Sequence, residues 1–173
     1  ATKSAGALYA SRLARVRQSM KSQSIDAALL SVGHDLPYLT GYYAMPLERL
    51  TMLVVTHDSV AALVVPRLEA PRVTPFDDVF KVVPWGETEN PVEIVAKHLG
   101  GAKRIAIGDQ MWARFLVELM GFVSGVNFVR AVDVVGSLRM AKDADEIAAL
   151  QAAGAAADRV ATQLQAGDIA LVG

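Results

Sequence analysis

The chain has 173 residues, 53% of them hydrophobic and 20% charged, which excludes disorder of the weakly hydrophobic, highly charged kind. Lys and Arg number 17 against 18 Asp and Glu, so the net charge is −1 and no global field draws the chain to nucleic acid or to an anionic membrane. Cysteine is absent, which removes disulfides, thiolate-bound zinc and thiol catalysis, and no apolar run approaches the ~18 residues that span a bilayer.

Residues 1–6 are polar and lack the hydrophobic region of a signal peptide. A soluble, cytoplasmic protein is the default expectation. Tyr9, Leu13, Val16 and Met20 recur at helical spacing, with Arg12, Arg15, Arg17 and Lys21 on other faces. That pattern predicts an amphipathic helix over residues 8–23. Residues 25–31 read as a buried strand that Gly33 ends. Residues 34–41 hold Asp, Pro and Gly, and predict a loop or a single helical turn. The apolar runs 50–56 and 60–66, separated by His57-Asp58-Ser59, have hairpin spacing.

A further strand is expected over 79–83, closed by Pro84 and Gly86. Asn90 followed by Pro91 is a helix start, a cap residue and then Pro at the first helical position. That helix runs to about Leu99, where Gly100-Gly101 ends it. A strand over 104–108, a helix over 111–120 capped by Asp109, and a strand over 127–131 complete the pattern. The alternation implies an α/β fold with a mixed sheet of about six strands flanked by helices.

Composition shifts after Met140 to an Ala-rich stretch ending near Ala166. Asp143 with Glu146 three residues on predicts a capping box. Ile147, Leu150, Gly154, Ala157, Ala161 and Leu164 step by 3, 4, 3, 4, 3 and form one stripe. Such a stripe, left exposed, predicts self-association. Gly167-Asp168 breaks the helix, and the segment opening at Ile169 is expected to lead into a further domain. Residues 1–140 and 141–173 are therefore read as a domain and a linker helix.

Motifs with chemistry are few. No GxxxxGK[ST], GxGxxG, GxSxG or HExxH occurs. Of the three histidines, His57 is expected in a solvated turn and His98 at a helix C-terminus, where a cation suits the dipole. Asp77-Asp78 read as a loop pair, and Glu87 and Glu89 as electrostatic support for a helix start. The segment from Gly33 to Tyr43, with Arg49 downstream, gathers three Tyr, a His, an Asp and an Arg in a loop after a buried strand. Loops at strand ends are where binding residues collect.

Three blocks carry a family resemblance: Ile25-Asp-Ala-Ala-Leu-Leu-Ser, Tyr38-Leu-Thr-Gly-Tyr, and Leu138-Arg-Met-Ala-Lys-Asp-Ala-Asp-Glu-Ile-Ala-Ala-Leu. In order and spacing they resemble the N-terminal domain of the creatinase/prolidase/aminopeptidase P family. The resemblance implies a ribonuclease-H-like mixed sheet. It also implies a separate "pita-bread" catalytic domain holding two divalent metal ions, Mn, Co or Zn, on two Asp, one His and two Glu. None of those ligands, and no catalytic residue, is assigned to this chain. The implied parent is an Xaa-Pro dipeptidase or aminopeptidase. Its implied partners are its own C-terminal catalytic domain, a second copy in a homodimer and a proline-containing peptide, with no nucleic acid and no membrane. The family position of the 34–43 loop makes Asp35, Tyr38, Tyr42 and Arg49 candidates for lining the substrate entrance, Arg49 by pairing with a carboxylate. A stand-alone binding or assembly module, and the N-terminal domain of a creatinase-type amidinohydrolase, are the alternatives.

Overall fold

The computed structural model describes residues 2–167. The expected segment opening at Asp168 and Ile169 lies outside the described residues. The chain divides into two compact units, residues 1–139 and 140–173.

The first unit opens with helix α1 (Thr2–Ser22), which starts earlier than its apolar periodicity suggests. Leu13, Val16 and Met20 are buried, as the helical spacing requires. Strand β1 (Ala27–Ser31) is buried along its whole length. Helix α2 (Asp35–Thr40) is a six-residue turn, closed by Gly41 at φ +72 with its N–H on the Pro37 carbonyl. Strands β2 (Met52–Thr56) and β3 (Ala61–Pro66) pair as the expected hairpin. A short 3₁₀ turn (Ala70–Arg72) precedes β4 (Phe80–Trp85). Helix α3 (Pro91–Lys97), β5 (Arg104–Ile107), α4 (Ala113–Met120) and β6 (Asn127–Arg130) follow. A π-helical turn (Val132–Gly136) runs into α5 (Ser137–Met140).

The six strands form one mixed sheet in the order β4-β3-β2-β1-β5-β6. β1 pairs antiparallel with β2 and parallel with β5. β3–β4 and β5–β6 are also parallel, so β2 alone runs against the rest. The order β3-β2-β1-β5-β6 with β2 reversed is the ribonuclease-H-like arrangement, and β4 extends it. Two cores result from the pleat. Ala28, Leu30, Leu53 and Leu63 face α1, α2 and the π turn. Ala27, Leu29, Val54 and Val64 face α3 and α4.

Several expectations change in the folded chain. Pro84 lies inside β4 rather than closing it, because β4 is an edge strand, where a residue without an N–H is tolerated. Asp109 does not cap α4. Its carboxylate is taken by Arg130, and the helix begins four residues later behind Trp112, which makes no side-chain cap bond. The hydrogen bonds at the α3 start come from Asn90, whose Oδ1 accepts the N–H groups of Val92 (2.9 Å) and Glu93 (3.1 Å), not from Glu87 or Glu89. Glu89 accepts the Gly86 N–H instead, at 2.7 Å. His57 is half-buried, and its Nε2 lies 2.7 Å from the Ile25 carbonyl, so that nitrogen carries the proton and donates. Arg12 leaves the solvated face. It is buried, its guanidinium is 4.0 Å from the Tyr38 ring centroid, and it donates to the Tyr38 carbonyl at 2.9 Å.

The second unit is dominated by α6 (Ala144–Ala166), with the expected capping box between Asp143 and Glu146 and Gly167 at its left-handed end. None of its described residues is buried, and Ile147, Leu150 and Leu164 are exposed. Among the described residues no helix is long and apolar enough to cross a membrane.

Asp26 ties the sheet together ahead of β1. Its Oδ2 accepts the backbone N–H groups of Lys103 and Arg104, both at 2.8 Å. The Arg104 N–H, then that of Lys103, holds this carboxyl below its ordinary value. A carboxyl held low in the folded state stabilises it fully above the unfolded value, near pH 4, and the contribution fades as the pH falls through the folded one. Asp26→Asn is expected to cost about 1 kcal/mol at pH 7, after allowance for solvent exposure, and much less at pH 3. Urea unfolding at the two pH values checks this; an equal loss at both contradicts it.

Candidate functional site

With only β2 reversed, the C-terminal ends of the five other strands share one edge of the sheet. The connections after β1, β5 and β6 open there, beside the segment entering β2. At a point where strand direction changes, neighbouring connections diverge and leave a crevice, the usual ligand position in open α/β sheets.

Two adjoining clefts occupy this edge. The first, of about 210 Å³, is bordered by His34 and Asp35 after β1, by Asp109 and Gln110 after β5, and by Gly136 and Arg139 after β6. The second, of about 310 Å³, shares Ser31, Val32, Gly33 and Gln110 with it and adds Arg49, Trp112 and Phe115. Gln110 therefore stands between them. Its side-chain amide packs over Gly33, whose φ of +155 and missing Cβ leave the space.

The four sequence candidates divide by exposure. Asp35 lines the first cleft, and its Oδ1 accepts from Arg139 Nη1 at 3.0 Å. Arg49 lines the second and pairs with Glu87, whose side chain is 69% exposed. Tyr38 and Tyr42 turn inward, at 9% and 6% exposure. The Tyr38 hydroxyl donates to the Leu138 carbonyl at 3.4 Å, and the Tyr42 hydroxyl to Glu69 Oε2 at 3.3 Å. Burial first, then the Glu69 carboxylate, pushes the Tyr42 hydroxyl above its ordinary pKa, so it stays a donor. The two rings anchor α2 and the segment after it, while Asp35 and Arg49 face open space.

Three ion pairs stand at this edge, Asp35–Arg139, Asp109–Arg130 and Arg49–Glu87. Arg130 donates through Nε to Asp109 Oδ1 at 3.1 Å and through Nη2 to Oδ2, a two-pronged contact. It holds the Asp109 carboxyl below its ordinary value, and Asp109 in turn raises the Arg130 guanidinium. Arg139, Asp109 and Gln110 are site residues that sequence reasoning passed over. Arg139 lies inside a recognised block, but nothing in local spacing brings it to Asp35, 104 positions away.

The dinuclear metal centre implied by the family resemblance finds no fit here. Among the described residues no three His, Cys, Asp or Glu come together to hold a metal ion. Asp35 and Asp109 are each engaged by an arginine rather than by each other.

Comparison with known proteins places this geometry in context. The sequence model of the Creatinase/Prolidase N-terminal domain matches residues 12–141. The probable dipeptidase PepE of Mycobacterium tuberculosis is 37% identical over 157 residues, covering 88% of this chain and 42% of that protein. The crystal structure of dipeptidase PepE from Mycobacterium ulcerans is similar at TM-score 0.83 and 38% identity, over 93% of this chain and 44% of that one. The Creatinase/Prolidase N-terminal domain of an X-Pro dipeptidase from Streptococcus pyogenes superposes at TM-score 0.64 and 27% identity, over 74% of this chain and 98% of that one. The chain thus spans about two fifths of the length of the curated relatives it matches.

Gly33 offers a direct check on the partition between the clefts. Gly33→Ala is expected to destabilise the chain by about 1–2 kcal/mol, through the positive φ and a collision with the Gln110 amide. Adding Gln110→Ala removes the collision but not the backbone strain, so part of the loss returns. Thermal unfolding of both variants tests this; additive losses contradict the packing.

Proposed function

The chain belongs to the creatinase/prolidase N-terminal domain family, and from that premise we propose that it is the non-catalytic N-terminal domain of a metal-dependent Xaa-Pro dipeptidase- or aminopeptidase-like hydrolase. It shapes access to an active site carried by a C-terminal catalytic domain, and it takes part in a homodimer. On this reading residues 1–140 are the accessory domain, 141–173 the linker helix, and the divalent ions lie outside this chain.

The observation that carries the reading is the family match across residues 12–141, joined to relatives called dipeptidases that are more than twice as long. The site chemistry supports it. A free dipeptide is a zwitterion. Asp35 and Arg49 border adjoining clefts with opposite charges, so one suits the ammonium end and the other the carboxylate end. Each is held by a partner, Arg139 or the exposed Glu87. The pair with the largely exposed Glu87 is worth little net energy, so an arriving carboxylate can exchange with it at Arg49, whereas the more sheltered Asp35 keeps Arg139 while it faces an ammonium group. The buried Tyr38 and Tyr42 hold the frame that presents Asp35. The assembly part of the reading is supported by α6, whose exposed Ile147, Leu150 and Leu164 are the kind of surface a partner covers.

The test compares two polypeptides with Mn²⁺ and an Xaa-Pro dipeptide. The 173-residue chain is expected to read at background, and turnover surviving repurification overturns the non-catalytic assignment. The same chain extended to the length of its relatives is expected to hydrolyse the dipeptide. In it, Arg49→Ala is expected to raise KM several-fold and leave kcat within about twofold, since on this reading Arg49 grips the carboxylate end of the substrate rather than the reacting bond. No hydrolysis by the extended protein overturns the peptidase reading.

A further inference from the structure

We propose that Arg139 is a positioning residue for the cleft: its ion pair with Asp35 sets where α2 stands at the cleft mouth. The inference rests on the access-shaping role for that cleft given above.

The need for such a residue follows from α2 itself. Six residues make fewer than two turns, and a helix that short has almost no stability of its own. Its apolar side is seated by Leu36 and Leu39, both fully buried. Those contacts fix depth, but oily surfaces slide and set rotation poorly, whereas a charged hydrogen bond has direction. Directional ties reach α2 from two stretches of chain: Arg12 of α1 donates to the Tyr38 carbonyl at 2.9 Å, and two further ties come from residues 138 and 139. Arg139 Nη1 donates to Asp35 Oδ1 at 3.0 Å at one end of α2, and the Leu138 carbonyl accepts from the Tyr38 hydroxyl one turn on.

The approach to Arg139 is built by an uncommon piece of backbone. Val132–Gly136 forms a π-helical turn, a conformation that is rare and concentrated at functional sites. A Cβ at Gly136 would stand 2.9 Å from Val132 Cγ2, so glycine there lets the turn form without displacing that side chain. A wider turn at this point changes the rotational phase of α5, which carries Leu138 and Arg139. The other pair at the cleft differs: the Arg130 side chain is 71% exposed, against 35% for Arg139 and 20% for Asp35. The Asp35–Arg139 pair is the more sheltered, and of the two it is the one that holds α2. Arg139 is also the last residue of the first unit, so the chain leaves for the second directly from this tie.

The test joins two measurements. In the 173-residue chain, hydrogen exchange is followed at the amides of Leu39, Thr40 and Gly41, with Leu29 and Ile105 as controls in the sheet. Arg139→Gln and Asp35→Asn are each expected to speed exchange about fivefold at α2 only, and the double variant no more than either single. Arg139→Lys keeps the charge and recovers part of the protection. Unchanged exchange in Arg139→Gln, or additive effects in the double variant, overturns the proposal. In the chain extended to its relatives' length, Arg139→Gln is expected to raise KM for a dipeptide several-fold with kcat within twofold, and Arg139→Lys to restore it in part. A fall in kcat at constant KM overturns the positioning role. If the extended protein hydrolyses no dipeptide while the exchange pattern holds, the access reading fails and the assignment of Arg139 to α2 stands.

Discussion

The direction of one strand organises the molecule. β1 is buried on both faces and has β2 antiparallel on one side and β5 parallel on the other. A strand in that position is a near-continuous apolar run, as Ala27-Ala-Leu-Leu30 is, and the buried Ser31 at its end donates its hydroxyl to the Thr51 carbonyl. Because only β2 is reversed, the connections after β1, β5 and β6 emerge together and part from the segment that enters β2. The two clefts are the space this divergence leaves. Asp26 locks the opposite end of the same strand pair by accepting two backbone N–H groups at the start of β5.

The site built on that frame is a set of paired charges rather than a reactive cluster. Asp35 meets Arg139, Asp109 meets Arg130 and Arg49 meets Glu87. Partly exposed pairs keep charged side chains oriented without the large desolvation cost of burial. Such an edge can recognise a charged ligand or a charged surface. It lacks the convergence of carboxylates and imidazoles that hydrolysis on metal ions requires, among the described residues. The family relatives of this domain are longer chains named dipeptidases.

Local rules read from the sequence held where a residue's neighbours in sequence are also its partners in space. Asn90 capping α3, the Asp143–Glu146 capping box and the Leu13, Val16 and Met20 stripe are all of this kind. They failed where a side chain found a distant partner. Asp109 looked like a cap and became a partner of Arg130, and Glu87 looked like helix support and went to Arg49. Arg12 lies off the apolar stripe of α1, but α2 folds over it and places the Tyr38 ring against its guanidinium. Of the four candidate site residues, Asp35 and Arg49 line the two clefts, the buried Tyr42 borders a smaller hollow beside Arg49, and Tyr38 packs inward.

The sequence by itself determined the element types, the six-stranded α/β class and the family, because hydrophobic period, caps and block spacing are properties of contiguous residues. The tertiary structure alone decided which charges meet. Arg139 and Asp35 are 104 positions apart and Arg49 and Glu87 are 38 apart, and no periodicity links residues at such separations. Only the strand order, with β2 turned against its neighbours, carries them to one edge, where Coulomb attraction over about 3 Å selects the partner.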